Sequence, residues 1–324
     1  MSLDFQVKTT GELKPAEIIK MTCLFEVVFG KPCPVDLFHR KFGCSCLGWS
    51  VHSLMFLDGE LIGAFSAIPV RYRFCGDTLL FAIGLDLMID PGHRGHPSRV
   101  RRLAEELYKA LAREGAAFVF GCVRDEIFQF HKAISRWRAV GSVHYYAAPF
   151  RLPYLGPASG VARAGVRIWN RLSRQPSERA DAAFEIEKVN DAGFAAWRYG
   201  IFPSNYTTIA LPGGGSAIYA TELYYPITGL PPGIRAGVLI DVFPLTKANF
   251  DAAVSAVRRR EPDLTALAYQ GVLPFQARDM LRIPAKYEKQ AWVLAGRILD
   301  PSQIDDRVFD MRHWNINLSN GDVV

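Results

Sequence analysis

Apolar residues recur along the first half of the chain in two periods, one of two positions and one of three to four. The first period is typical of strands and the second of amphipathic helices. Strands are predicted at 5–9, 51–57, 61–74, 79–89, 116–123 and 142–150. Helices are predicted at 15–30, at 35–43, from the basic loop near 94 to Gly115, and at 127–137. Short turns join the middle strands into an antiparallel meander, so we expect an α/β (α+β) fold with one mixed, mostly antiparallel sheet flanked by helices.

The second half of the chain repeats part of this pattern. Residues 84–88 read GLDLM and residues 239–243 read LIDVF, and a helix and an apolar strand follow each of them. Two interpretations stay open: a chance likeness between two strand–helix–strand units, and a degenerate second copy of the first half. The second interpretation predicts a first domain at 1–150, a basic linker or helix at 151–183, and a degenerate second domain at 184–324.

The segment 151–183 is strongly basic, with six arginines against Glu178 and Asp181. Its middle has the spacing of a helix that carries arginines on one stripe and apolar residues on another. Two interpretations stay open for this helix. It packs as a linker between two domains, or it presents a surface to an acidic partner or to an anionic membrane as a peripheral contact.

Composition and charge narrow the class of protein. The 324 residues are 49% hydrophobic and 22% charged, which is the balance of a globular chain with a sizeable core. The net charge of +6 favours anionic partners, but the sequence contains no nucleic-acid-binding motif. No CxxC pair is present among the six cysteines, so neither zinc nor another metal is expected. The absence of a signal peptide and of a long apolar run predicts a cytoplasmic protein without a transmembrane segment.

A cluster of cations surrounds the predicted start of the helix after 79–89. These residues are Arg94, His96, Arg99, Arg101 and Arg102. Cations at a helix N-terminus are mildly unfavourable, because that end of the helix carries partial positive charge. A strand that runs into a short turn and a helix points several backbone N–H groups at one place, where a phosphate binds readily. The cluster therefore predicts a phosphate site, with arginines that extend into solvent as the alternative.

The same stretch resembles the motif of the GNAT-type N-acyltransferase superfamily. In that motif a strand ends near a proline, an Arg-Gly-rich turn follows, and a helix begins. Pro91, Arg94 and Gly95 match the motif, whereas Pro97 and Arg99 stand where the family has two further glycines. The predicted order of elements across 5–150 resembles the superfamily as well.

The resemblance implies a binding mode for acyl-coenzyme A, with acetyl-CoA as one such donor. The turn would cradle the pyrophosphate of the coenzyme, with contacts from Arg94, Gly95, His96, Ser98 and Arg99. Backbone N–H groups of Leu87, Met88 and Ile89 would hold the pantetheine arm and polarise the thioester carbonyl. The tail WNINLSNGDVV at 314–324 and the position of Asp86 also resemble a bacterial subset of tandem GNAT proteins that is associated with surface-polysaccharide or secondary biosynthesis.

Five side chains are candidates for acid–base chemistry. Asp86 lies within an apolar strand, where a carboxylate is either an amine-binding or basic group or a hydrogen-bonded structural one. Asp125 and Glu126 follow the fifth strand and either contact the acceptor or cap the next helix. Tyr145 and Tyr146 lie on the last strand of the first half, where one of them either protonates a departing thiolate or simply packs. No nucleophile from the protein is required for this chemistry.

These observations predict an N-acyltransferase that moves an acyl group from acyl-CoA to the amine of a small acceptor, an amino sugar or an amino acid. The amine would attack the thioester directly in a ternary complex. Two alternatives stay open. An acyl carrier protein is the donor, since its acidic surface would suit the arginines of 151–183, or the chain is a GNAT-shaped binding or scaffold module without catalysis.

Overall fold

The computed structural model describes residues 2–151, 159–172, 184–221, 235–284, 286, 288 and 292–321. Helices in these ranges are α1 (Pro15–Phe29), α2 (Val35–Phe38), α3 (Pro97–Arg113), α4 (Asp125–Ser135), α5 (Ser159–Leu172), α6 (Ala192–Gly200) and α7 (Lys247–Arg260). Strands are β1 (Leu3–Thr9), β2 (Val51–Leu57), β3 (Glu60–Phe74), β4 (Asp77–Ile89), β5 (Ala116–Arg124), β6 (Arg138–Pro149), β7 (Ile186–Lys188), β8 (Thr207–Ala210), β9 (Ser216–Ala220), β10 (Ala236–Phe243), β11 (Ala266–Gly271), β12 (Leu281–Arg282), β13 (Trp292–Ile298) and β14 (Trp314–Asn315). The strands and long helices predicted for the first half are confirmed to within a few residues.

The chain forms two compact units that are discontinuous along the sequence. The first unit comprises Met1–Gly141, Glu185–Ile201 and Val293–His313. The second unit comprises Ser142–Phe184, Phe202–Trp292 and Trp314–Val324. These units differ from the continuous domains 1–150 and 184–324, because two later segments of the chain return to the first unit. The tandem division therefore stays a prediction about a repeat in the sequence.

The first unit is built on a mixed sheet with the strand order β1-β2-β3-β4-β5-β13. The pairs β1–β2, β2–β3 and β3–β4 are antiparallel, and the pair β4–β5 is parallel. The helix α3, which connects β4 to β5, buries Leu103, Leu107 and Leu111 completely. These leucines pack with Phe65 of β3 and Val119 of β5. This unit therefore has the mixed, mostly antiparallel sheet and flanking helices that the periodicity predicts.

β4 departs from regular geometry near its end, and this departure shapes the site described below. Between two paired positions, β3 advances two residues, from Ala64 to Ser66, while β4 spans three, from Met88 back to Leu85. The extra residue forms a β-bulge, at which Asp86 has a φ of 51°. Parallel pairing between β4 and β5 ends at Ile83 and Phe120, although both strands continue. The two strands therefore separate just before the bulge.

The second unit has the strand order β6-β11-β10-β9-β8, with the short β12 paired to β6. β10 pairs parallel to β11, and α7 connects them, as α3 connects β4 to β5 in the first unit. α7 buries Phe250 and Val257 in a cluster with Leu239, Leu267 and Tyr269. β10 also carries a register shift, between Leu239 and Asp241. Each unit thus contains a parallel strand–helix–strand motif with an irregular first strand.

Two strands differ from the sequence prediction. The last strand predicted for the first half begins earlier, at Arg138, and from Ser142 onward it belongs to the second unit, where it pairs antiparallel to β11. β13, which the periodicity does not predict, lies beside β5 in the first unit. Apolar periodicity identifies a strand but carries no information about its partner, because pairing is decided by tertiary contacts.

Candidate functional site

A short basic loop connects the end of β4 to α3. The Asp90 carboxylate accepts a hydrogen bond from the Gly92 N–H at 2.8 Å and so closes a single 3-10 turn at Pro91–His93. Gly95 has a φ of 92°, a left-handed conformation that glycine adopts without strain. α3 then begins at Pro97 as its first residue. The loop thereby delivers the chain from the bulged strand directly into the helix N-terminus.

The start of α3 has the electrostatics of an anion site. Its first turn contains no acidic residue, and the side chain of the N-cap residue His96 makes no capping hydrogen bond. Arg94 is exposed, and its Nε donates to the Ile89 carbonyl at 3.3 Å, which places the guanidinium beside the end of β4. Ser98 is exposed and Arg99 half-buried in the same turn. The positive end of the helix dipole and these groups together favour a bound anion.

One cation of the cluster is already engaged elsewhere. The Arg102 guanidinium lies 4.4 Å from the centre of the Phe5 ring on β1, in a cation–π contact. Arg102 therefore helps to attach α3 to the sheet. Arg102 is nevertheless exposed, so the phosphate site and the solvent-facing alternative both stay predictions for the cluster.

The backbone of Leu87, Met88 and Ile89 follows the bulge. On one edge it continues to pair with β3, at Ala64↔Met88 and Gly63↔Ile89. On the other edge β5 no longer pairs with it. Because N–H groups of a strand alternate between its two edges, part of this backbone faces the space into which β5 diverges. Such N–H groups are able to bind a carbonyl or amide oxygen of a ligand.

Asp86 is paired with Lys41, a residue that the sequence analysis did not single out. The Lys41 Nζ donates to both carboxylate oxygens of Asp86, at 3.1 and 3.0 Å. The two side chains are only 5% and 7% exposed. Of the two interpretations of Asp86, its being a hydrogen-bonded carboxylate is confirmed, and its part in chemistry stays a prediction.

Lys41 is held firmly in place. It lies in a π-helical turn at His39–Gly43 that continues α2. Its ammonium is 5.3 Å from the centre of the Phe42 ring, and its carbonyl accepts a hydrogen bond of 2.9 Å from the Trp197 indole of α6. No local spacing in the sequence identifies this residue, because its partner lies far along the chain.

Asp125 and Glu126 are the first two residues of α4 and are both exposed. Neither caps the helix, because the N-cap position is Arg124. Carboxylates in a first turn are stabilised by the helix dipole, and the Gln129 amide donates to Asp125 at 3.3 Å. They lie at the end of β5, the strand that diverges from β4. Their contact with an acceptor stays a prediction.

Tyr145 and Tyr146 lie on the part of β6 that belongs to the second unit. They are opposite Gln270 and Tyr269 in the pairing with β11, and the rings of Tyr146 and Tyr269 are 6.0 Å apart. Burial raises the pKa of Tyr146, so its hydroxyl keeps its proton at neutral pH. That protonation state is the one a proton donor needs, and the donor role itself stays a prediction.

Cys122 is the thiol nearest in sequence to the end of β5. Burial raises its pKa to about 12, so the thiolate that would act as a nucleophile is not formed at neutral pH.

Among the residues that the structure describes, no three His, Cys, Asp or Glu side chains are grouped to hold a metal ion. None of the described helices is both long and apolar enough to cross a membrane.

Comparison with solved structures identifies the fold. No protein-family model matches the chain, and no curated protein matches its sequence. A GCN5-related N-acetyltransferase from Anabaena variabilis superposes with a TM-score of 0.59 at 11% identity, over 91% of this chain and 73% of that one. Eis1 from Mycobacterium abscessus gives 0.56 at 13% identity, over 92% and 74%. A GCN5-related N-acetyltransferase from Kribbella flavida gives 0.54 at 11% identity, over 90% and 71%.

The chain therefore has the α/β fold of the GNAT-type N-acetyltransferases, as the sequence motif predicts. The likeness extends over nine-tenths of the chain, so it includes residues from both compact units.

Proposed function

We propose that this protein is an acyltransferase that moves an acyl group from acyl-CoA to the amine of a small acceptor. One observation carries the proposal: a bulged strand that diverges from its parallel neighbour runs directly into a basic loop and a helix N-terminus without acidic residues. A thioester with a pyrophosphate at its far end needs this pair of features. The backbone N–H groups serve the acyl end, and the helix start serves the phosphates.

The proposal assigns the coenzyme to the loop and to the first turn of α3. Arg94 and Arg99 would provide charge-assisted hydrogen bonds to the pyrophosphate. Gly95, His96 and Ser98 would contribute backbone or side-chain donors around it. Pro97 has no N–H to donate, so the loop offers one donor fewer than a glycine-rich loop of the same length.

The reaction follows from what the chain supplies. N–H groups of Leu87–Ile89 bind the thioester carbonyl and stabilise the oxyanion of the tetrahedral intermediate. The acceptor amine attacks the carbonyl carbon, a C–N bond forms, and the C–S bond then breaks to release the CoA thiolate. The attacking nitrogen loses a proton and the thiolate takes one up. Direct attack needs no nucleophile from the protein, and the raised pKa of the Cys122 thiol near the end of β5 is consistent with that route.

The acceptor is proposed to be an amino sugar or an amino acid. Both oxygens of the buried Asp86 carboxylate are bound by Lys41, whereas Asp125 and Glu126 are exposed at the end of β5, where these two carboxylates would attract an ammonium group. Deprotonation of that ammonium would fall to one of these carboxylates or to a water molecule beside them. Protonation of the thiolate is proposed for Tyr145 or Tyr146.

Calorimetric titration of acetyl-CoA and of a medium-chain acyl-CoA tests the donor site. The wild type should bind at least one of them, and Arg94→Ala should weaken binding by about 1–3 kcal/mol, the scale of a lost charged hydrogen bond. Arg113→Ala is a matched control, because Arg113 is exposed at the opposite end of the same helix. It should leave the affinity unchanged.

Thiol release with a panel of amino sugars and amino acids then tests turnover. Absence of binding for both thioesters would overturn the acyl-CoA proposal. An acyl carrier protein loaded with the same acyl group is the next donor to test. Equal losses in Arg94→Ala and Arg113→Ala would remove the phosphate site from the basic loop and leave only a general effect of net charge.

A further inference from the structure

The buried pair of Lys41 and Asp86 joins two irregular pieces of backbone in the first unit. Lys41 lies in the π-helical turn after α2, and Asp86 lies at the β-bulge of β4. Both side chains are almost fully buried. Removal of either one would leave the other as a buried charge without compensation, which is strongly destabilising. The pair therefore ties the position of the bulge to the helical turn.

Asp86 adopts a backbone conformation that has a cost. Its φ of 51° is in the left-handed region, which is unfavourable for a residue other than glycine. Aspartate and asparagine tolerate this region better than other side chains do. An ammonium that binds both oxygens of the carboxylate offsets this cost.

We propose that Lys41 is a positioning residue for the acyl-transfer site. Its ammonium holds Asp86 and thereby keeps the bulge in the conformation that directs part of the backbone N–H groups of Leu87–Ile89 toward the side on which β5 diverges. The contacts of Lys41 with Phe42 and Trp197 fix the ammonium in turn. This role rests on the function proposed above, because the N–H groups matter only where a thioester carbonyl is bound.

The test compares Lys41→Met with the double variant Lys41→Met/Asp86→Asn. Lys41→Met should be strongly destabilised, since it leaves the Asp86 carboxylate buried without its cation. The double variant should recover most of the decrease in melting temperature, because asparagine is neutral and tolerates a positive φ. Its kcat should nevertheless stay at least tenfold below the wild type, while its affinity for CoA stays within about threefold, since the phosphate loop is unchanged. Lys20→Met is a matched control, because Lys20 pairs with the exposed Glu60 at 3.2 Å.

A purely structural pair would behave differently. In that case the double variant would recover both stability and kcat, which would overturn the proposal. Hydrogen exchange at Leu87–Ile89 gives a readout that needs no activity, and faster exchange is expected in the double variant. Unchanged exchange would also count against the proposal. Absence of turnover in the wild type would instead refute the proposed function. That outcome is distinct from failure of the Lys41 proposal, in which the wild type and the double variant both turn over.

A second observation, in the second unit, carries an inference of its own. Parallel pairing of β10 with β11 ends at Leu239 and Tyr269, close to the register shift of β10. The C-terminal segment Trp314–Gly321 meets both strands just beyond this point. At the end of β11, Gly271 forms a bridge with Asn317, and the N–H of the next residue, Val272, donates to the Ile316 carbonyl at 2.9 Å. On β10, the Asn317 amide donates to Asp241 at 2.8 Å.

This segment is an integral part of the second unit. The side chains of Trp314, Ile316, Asn317, Ser319 and Asn320 are all buried. The Asn317 side-chain oxygen accepts from the Ser319 N–H at 3.0 Å, and the Asn317 N–H donates to Asn320 at 2.9 Å. The polar groups that enter the opening thus satisfy one another within the segment and at Asp241.

We infer that the C-terminal segment fills the space between β10 and β11 in the second unit. The corresponding space in the first unit, between β4 and β5, is where the proposed function places the thioester. The second unit then takes no acyl donor, and each chain binds one. Asp241 has the same position in LIDVF as Asp86 has in GLDLM. The two aspartates nevertheless bind different partners, since Asp86 binds Lys41 and Asp241 binds Asn317.

Binding stoichiometry and hydrogen exchange test this inference together. Titration of wild type with the acyl-CoA that binds should give one site per chain, and amides of 314–321 should be protected. Gly271→Ala should expose the segment, since a Cβ there would lie 2.6 Å from the Ile316 carbonyl oxygen. Asn317→Ala, which removes the side-chain hydrogen bonds to Asp241 and Ser319 without adding bulk, is the milder second variant and should raise exchange less. Two donor sites in wild type, or fast exchange of 314–321, would overturn the inference.

Discussion

Acid should weaken the first unit through two histidines that are buried in the neutral form. His131 is 4% exposed on α4 and stacks on the Trp137 ring at 4.2 Å. His52 is fully buried on β2 between the hydroxyls of Thr10 and Ser66, each at 2.9 Å. Burial lowers the pKa of His131 from 6.5 to about 4 and that of His52 to about 3.

The direction and size of the effect follow from linkage. Because the folded pKa lies below the unfolded value of 6.5, the contribution of each histidine is fully present above pH 6.5. It is lost as the pH falls below 6.5, since the unfolded chain then binds a proton that the folded chain does not. At about pH 5.5, one unit below the unfolded value, each histidine costs roughly 1.4 kcal/mol, and the two together about 3 kcal/mol.

The variant His131→Phe isolates half of this effect. Phenylalanine keeps an aromatic ring in the apolar cluster, and the hydrogen bond that the substitution removes, to the Ser135 hydroxyl, is long at 3.4 Å. Between about pH 7.5 and 5.5, urea unfolding should show the variant gaining roughly 1.4 kcal/mol relative to wild type. Ile134→Val on the same helix is a non-titrating control and should keep a constant difference. A constant difference for His131→Phe as well would refute the reasoning.

Three further substitutions have definite expected outcomes. Asp279→Asn should destabilise the second unit by about 2–3 kcal/mol in urea unfolding, because two arginines bind this carboxylate at 2.7 and 3.1 Å and it is only 7% exposed. Gly296→Ala should lower the melting temperature by several degrees, since its Cβ would lie 2.4 Å from the Val119 carbonyl oxygen on β5. Gly95→Ala should cost roughly 1 kcal/mol and weaken acyl-CoA binding in calorimetry, because the added Cβ disfavours a φ of 92°; an affinity equal to that of wild type would show that the loop conformation does not matter.

The sequence predicts those features of this protein that are local. Strands and long helices follow from apolar periodicity, and the loop follows from a proline, a glycine and a run of cations within ten residues. The resemblance to the GNAT fold rests on this same stretch. The bulge at Asp86 leaves no such local signal, because β4 is also apolar, apart from Gly84, over 79–85, where its pairing with β3 is regular.

The features that the sequence does not predict depend on distant partners. Lys41 reads as one more residue of a helix, and only the folded chain brings it to Asp86. β13 reaches β5 from the far end of the chain, while half of β6, from His144 to Pro149, pairs with β11. Neither exchange leaves a trace in hydrophobic periodicity, because a strand with the same pattern is able to pair on either sheet.

The departures from the family motif at Pro97 and Arg99 are explained by where α3 begins. Pro97 is the first helical residue, a position at which proline is favoured because its fixed φ suits the helix and an N–H there has no partner within the helix. Arg99 lies two residues further on, inside the helix, where no left-handed conformation is required. Gly95, the glycine that the motif retains, is the one with a φ of 92°. The chain therefore keeps glycine where the backbone geometry demands it and replaces it where a helix-starting residue and a cation fit, which preserves a helix start suited to an anion.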